Sequence, residues 1–101
     1  VSCPERPVIN GPLLLLECAR LFDTTAKDLR GNSRFRLHTH PRFALFKVMH
    51  LRGASKHQIG RFFERDHSTV VHGIRQADAL AVRDIDYGAR LSALAQYGET
   101  L

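Results

Sequence analysis

Between Ser55 and Val82 the chain carries two amphipathic helical patterns with only a short turn, at Glu64 and Arg65, between them. The first is short. Ser55 and Gln58 have the spacing of a capping box, and Ile59, Phe62 and Phe63 supply its apolar residues. The second runs from about His67 to Val82, with Val70, Val71, Ile74, Ala77 and Leu80 at helical spacing and Asp66 placed to cap it. Gly60 costs the short helix propensity and marks a place where another backbone comes close. A short helix, a tight turn and a longer helix are the sequence form of a helix-turn-helix.

The rest of the chain reads the same way. Asn10, Gly11 and Pro12 start a helix that runs to about Phe22. Thr24 or Thr25 caps a short turn ending at Arg30, before Gly31. Residues 31–40 are polar and irregular. Pro41 opens a second long helix, closed by Gly53 after Arg52, and Asp84 caps a last helix to about Tyr97 with Gly98 beyond its end. No segment alternates as a strand does. The expected fold is all-α, a small helical bundle with a helix-turn-helix beside a basic loop. A length of 101 residues gives room for one domain, expected over 12–98 after an extended Pro-rich arm at 1–11.

Charge narrows the class of partner. From Leu29 to Phe63 there is no acid, while eight bases occur, and residues 27–75 hold eleven bases against three acids, a net of +8. The remainder nets −3. Such a segment suits a polyanion, because each phosphate neutralised releases counterions. Within the second helix of the pair, His67, Ser68, Thr69 and, one turn on, His72 are polar. Val70, Ile74 and Ala77 fall on the opposite, apolar face. A recognition helix needs that separation, with its N-terminal residues on base edges in the major groove.

The octapeptide Arg65-Asp66-His67-Ser68-Thr69-Val70-Val71-His72 resembles the signature of the C-terminal DNA-binding domain of DnaA, the bacterial replication initiator. Asn32-Ser33-Arg34-Phe35-Arg36, Pro41-Arg42 and Ile59-Gly60 precede it in the family's order, and the similarity covers about residues 13–80. The resemblance implies a helical bundle that binds, as a monomer, a short asymmetric A·T-rich DnaA box in double-stranded DNA. It implies that Arg34 enters the minor groove, that Asp66, His67, Ser68, Thr69 and His72 read the major groove, and that Arg36, Arg42 and Arg65 contact phosphates. Lys56, near a helix N-terminus, is a further phosphate candidate from charge and position. Three residues depart from the family. Glu64 alone stands where a Gly-Gly pair precedes the signature Arg, Ser68 replaces the usual Thr, and Phe43 follows Arg42 where a polar residue is common.

Other chemistries find little support. No GxxxxGK[ST] loop occurs, so ATP hydrolysis is not expected. The chain is read as a binding protein, with no enzyme activity and no cofactor expected. The spacing of His38 with His40 and of His67 with His72 does not match a metal pair on a helix, so no metal is expected. Ser68 with a neighbouring histidine lacks the remaining parts of a hydrolytic triad. No wholly apolar run exceeds four residues, as in Leu13 to Leu16, so no membrane span is expected. Cys3 and Cys18 read as reduced thiols of a cytoplasmic, nucleoid-associated protein. The Pro-rich start reads as a free arm, favouring a stand-alone protein over an excised domain. Two further readings are a transcriptional regulator with the same fold, and an interaction module whose partner is the initiator itself, contacted through Asp84 and Asp86.

Overall fold

Local capping chemistry sets most of the helix starts in the computed structural model, which describes residues 10–100. Helix α1 (Gly11–Leu21) begins where the Asn10 side chain accepts the Leu13 amide, with Pro12 in the first turn. Thr25 does the same for Asp28 at the start of α2 (Ala26–Arg30). In α4 (Lys56–Phe63) both halves of the capping box form: the Ser55 hydroxyl accepts the Gln58 amide at 3.0 Å, and the Gln58 side chain accepts the Ser55 amide at 2.8 Å. Asp84 accepts the Tyr87 amide at the start of α6 (Ile85–Thr100). Helix α3 spans Arg36–Leu51 and α5 spans His67–Arg83.

Helix α3 is the hub and touches each of the other five. Its buried residues Leu45, Phe46, Val48 and Met49 join Leu14, Cys18, Leu29, Ile59, Phe63, Val70 and Leu94 in the main core. Phe46 meets Phe63 edge to face at 5.0 Å, a favoured aromatic geometry. A second cluster of Ala44, Ala77, Leu80 and Tyr87 lies where α3, α5 and α6 meet. Every apolar residue expected to anchor α5 is buried except Val71, which is half-buried.

Three boundaries differ from the sequence expectation. Helix α3 begins at Arg36 rather than at Pro41, which lies inside it. The proline forfeits only one ladder bond there, to Leu37 in the first turn, a residue 80% exposed. Phe35 already accepts the amides of His38 and Thr39, so the helix is nucleated before the proline is reached. Gly98 is not a terminator but a buried residue within α6, packed near Leu14 and Val48. Asp66 occupies the cap position of α5 without making a side-chain cap bond. The Pro-rich arm and Cys3 fall mostly or wholly outside the described residues.

Candidate nucleic-acid interface

The two helices of the pair meet at a turn built by backbone contact. Gly60 lets the Arg65 carbonyl approach so closely that a Cβ would stand 2.6 Å from its oxygen, and the Arg65 amide donates to the Gly60 carbonyl at 2.7 Å. Between them Glu64 adopts a left-handed backbone, φ 56° and ψ 47°. Such a conformation favours glycine, and glutamate holds it here at some cost.

Beyond the turn, Asp66, His67, Ser68 and Thr69 form an exposed cluster at the α5 N-terminus. Asp66 Oδ2 accepts the Ser68 hydroxyl at 2.5 Å, while Oδ1 lies 3.5 Å from His67 Nδ1. The Ser68 bond, the largest influence, holds the Asp66 carboxyl below its ordinary range. The His67 ring stacks on His57 of α4, centroids 4.2 Å apart. One turn further, exposed His72 stands edge-on to Phe43 at 5.8 Å. Among the described residues, Thr69 and His72 are the major-groove readers with neither a side-chain hydrogen bond nor an ion contact.

The basic loop is fastened to this turn. The Arg65 guanidinium donates to the carbonyls of Gly31 and Phe63, so it is half-buried and bridges the turn to the start of the loop. Arg30 reaches the same turn from α2, donating to the Phe62 carbonyl at 2.9 Å and lying over the Phe62 ring. Arg34 and Arg36 are exposed and carry no ion pair among the described residues. Lys56, the first residue of α4, is half-exposed. Exposed Arg61 and Arg75 extend the basic surface. By contrast Lys47 is neutralised by Asp78 at 3.0 Å.

Arg42 is set apart from these exposed bases. It is 5% exposed, with Nε, Nη1 and Nη2 donating to the carbonyls of Leu29, Ser33 and Asp28 at 2.6, 3.2 and 3.0 Å. Two of these acceptors belong to the last turn of α2, whose carbonyls have no helical partner and sit at the negative end of its dipole. Burial, then the nearby charge of Arg65, lower the Arg42 pKa. All three nitrogens bond carbonyls within the fold, so Arg42 holds the loop against α2 and, unlike Arg34 and Arg36, offers little surface to a partner.

His57 and Arg30 escaped the sequence reading. Both lie in the acid-free basic run, but their roles depend on which neighbour they meet, and charge alone does not reveal that. Among the described residues no three His, Cys, Asp or Glu side chains are placed to hold a metal ion, and no helix is long and apolar enough to cross a membrane. Cys18 is buried and donates to the Pro41 carbonyl at 3.3 Å.

A helix-turn-helix with a polar, exposed N-terminal turn on its second helix and a fastened basic loop defines a DNA-binding class of fold. The helix-turn-helix family of the bacterial DnaA protein matches residues 15–77, and the chain belongs to that family. Proteins named chromosomal replication initiator protein DnaA are similar to it. The one from Desulfotalea psychrophila is 34% identical over 74 residues, 72% of this chain and 15% of the relative. That from Deinococcus radiodurans is 30% identical over 95 residues, 93% and 20% respectively. That from Sphingopyxis alaskensis is 38% identical over 69 residues, 66% and 15%. The chain thus spans a fifth or less of the length of these relatives.

Proposed function

We propose that the chain binds double-stranded DNA at short, A·T-containing sites of the DnaA-box type and acts in replication initiation or its regulation, without catalysing a reaction. The observation that carries this is the Arg65 bridge. It ties the loop bearing Arg34 and Arg36 to the turn that presents Asp66, His67, Ser68 and Thr69. A base-reading helix and a minor-groove arm held on one frame can engage adjacent grooves of one duplex. In this reading Thr69 and His72 are the free major-groove readers and His67 a third, held by His57. Asp66 and Ser68 are mutually bonded and act as a unit. Arg36, Lys56 and the exposed part of Arg65 bind phosphates, which position the domain while base contacts specify the site.

The test is a fluorescence titration of the full chain against a DnaA-box duplex and a scrambled duplex of equal composition, at two salt concentrations. Preference for the box by about tenfold or more is expected, with steep salt dependence on both duplexes. Equal, salt-sensitive binding would leave a regulator with another site. Absence of binding to both would leave the interaction module, with the initiator as its partner.

A further inference from the structure

Phe35 breaks two local rules at once. It occupies the N-cap of α3, where Ser, Thr, Asp or Asn would accept a helix amide, and it makes no side-chain cap bond. The residue is 73% exposed, and among the described residues its one aromatic neighbour is His38, edge-on with centroids 6.2 Å apart. An aromatic side chain that neither caps its helix nor enters the core contributes little to the fold. Such departures collect at functional sites.

The residue is also held in place. The Phe35 amide donates to Ser33 Oγ at 3.2 Å, and the same hydroxyl lies 2.7 Å from His38 Nδ1. His38 Nε2 in turn pairs with Asp28 Oδ2 at 3.3 Å. Arg42 donates to the Ser33 carbonyl. A chain of polar contacts therefore fixes the backbone under a bare apolar ring, between two exposed arginines.

We propose that Phe35 is a DNA wedge. Its ring enters a base-pair step from the minor groove beside Arg34, partly unstacks that step and bends the duplex away from the domain. Arg34 and Arg36 supply the attraction that brings an apolar group against a polyanion. The ring then replaces part of the lost stacking with its own face, as apolar side chains do in minor-groove proteins that kink DNA. Pyrimidine–purine steps such as TA unstack most readily, so the wedge adds a preference for such a step that no hydrogen bond encodes. This inference rests on the reading of residues 31–36 as a minor-groove arm.

The full chain is titrated into box duplexes carrying 2-aminopurine at successive positions of the A·T half, whose fluorescence rises on unstacking. Wild type should raise the signal several-fold at one position. Phe35→Leu should keep part of the rise. Phe35→Ser should abolish it at saturation while binding roughly tenfold more weakly, the loss of one base–aromatic contact. Circular dichroism should show both variants folded, since the ring is not in the core. Box-selective binding by wild type with no rise at any position overturns the wedge alone, as does an undiminished rise with Phe35→Ser. If wild type binds no duplex, the DNA-binding reading falls with it.

Discussion

The imidazole of His67, at the tip of the second helix of the pair, stacks on that of His57 near the start of the first, with centroids 4.2 Å apart and planes 30° from parallel. A side chain held before binding loses less entropy on meeting a base than a free one. His67→Ala should cost roughly 1–3 kcal/mol on the preferred site and much less on random duplex. Thr69→Ala should behave likewise. His57→Ala should weaken box binding by a smaller amount with the same selectivity, because it removes the support and not the reader. Paired titrations of the three variants on box and scrambled DNA check this; equal losses on both duplexes would make the two histidines phosphate contacts.

Arg36 and Arg42 should part company. Arg36→Ala should leave stability unchanged and flatten the slope of log affinity against log salt by about one. Arg42→Ala strands one buried carbonyl, of Leu29, and two half-buried ones, of Ser33 and Asp28. It should destabilise the fold by about 3 kcal/mol, since each such group left dry costs roughly 1–3 kcal/mol and the half-buried ones regain water. Urea midpoints read the second effect and salt titrations the first. An Arg42→Ala protein of wild-type stability with a flattened slope would restore it to the phosphate contacts.

The contrast between these two arginines marks how far the sequence reaches. Asn10, Thr25, Ser55 and Gln58 act within three residues of themselves, so their caps are legible from spacing. Gly60 is legible because a glycine within a helical pattern needs a neighbour to explain it, and Arg65 is that neighbour. Arg42 follows Pro41 in a basic run and looks like its exposed companions. Only the fold brings the end of α2 across to it. Pro41 misled for a similar reason: proline suits a first helical turn, but the contacts of Phe35, Ser33 and His38 begin α3 earlier. The Asp66 cap failed locally, because the Ser68 hydroxyl competes for the same carboxylate.

Glu64 and Gly60 should respond to substitution in opposite directions. Glu64→Gly relieves the left-handed strain and should stabilise the domain by about 1 kcal/mol, less whatever the freer unfolded chain takes back. Gly60→Ala drives a methyl into the Arg65 carbonyl and must pry the turn open. It should lower the urea midpoint and loosen box binding together, because the same turn aims α5. A Glu64→Gly protein less stable than wild type would show that its backbone is not strained.

Alkaline pH should weaken the fold before it affects charge on the arginines. Burial raises the pKa of both the Tyr87 hydroxyl and the Cys18 thiol, and the Tyr87 hydroxyl also donates to the His40 carbonyl at 2.7 Å. Each group holds its proton more tightly folded than unfolded. The stability this confers is complete below the ordinary values, 9.0 for the thiol and 10.0 for the phenol, and declines as pH rises past them. The urea midpoint of wild type should fall steadily above about pH 9, and less steeply in Tyr87→Phe, even though that variant starts lower for want of the hydroxyl's bond. Parallel pH profiles for the two proteins would exclude Tyr87 as a source of the loss.

Arg34 carries the sharpest expectation for the loop. It is exposed, without an ion pair among the described residues, and its backbone neighbours are anchored: Arg65 and Arg42 hold the carbonyls of Gly31 and Ser33, and Ser33 holds the amide of Phe35. A rigid base with a free side chain suits insertion into a narrow A·T minor groove, where the potential is most negative and no exocyclic amino group obstructs the floor. Arg34→Ala should therefore lose roughly 1–3 kcal/mol on an A·T-rich box and far less on a duplex whose minor-groove half is G·C. Arg34→Lys should recover only part, since an ammonium is more strongly hydrated and lacks the planar fork. Stability should change little, because the exposed side chain makes no hydrogen bond or ion pair among the described residues. Measured at fixed salt on both duplexes, an equal loss for Arg34→Ala would reduce this residue to one more phosphate contact and leave α5 alone to select the site.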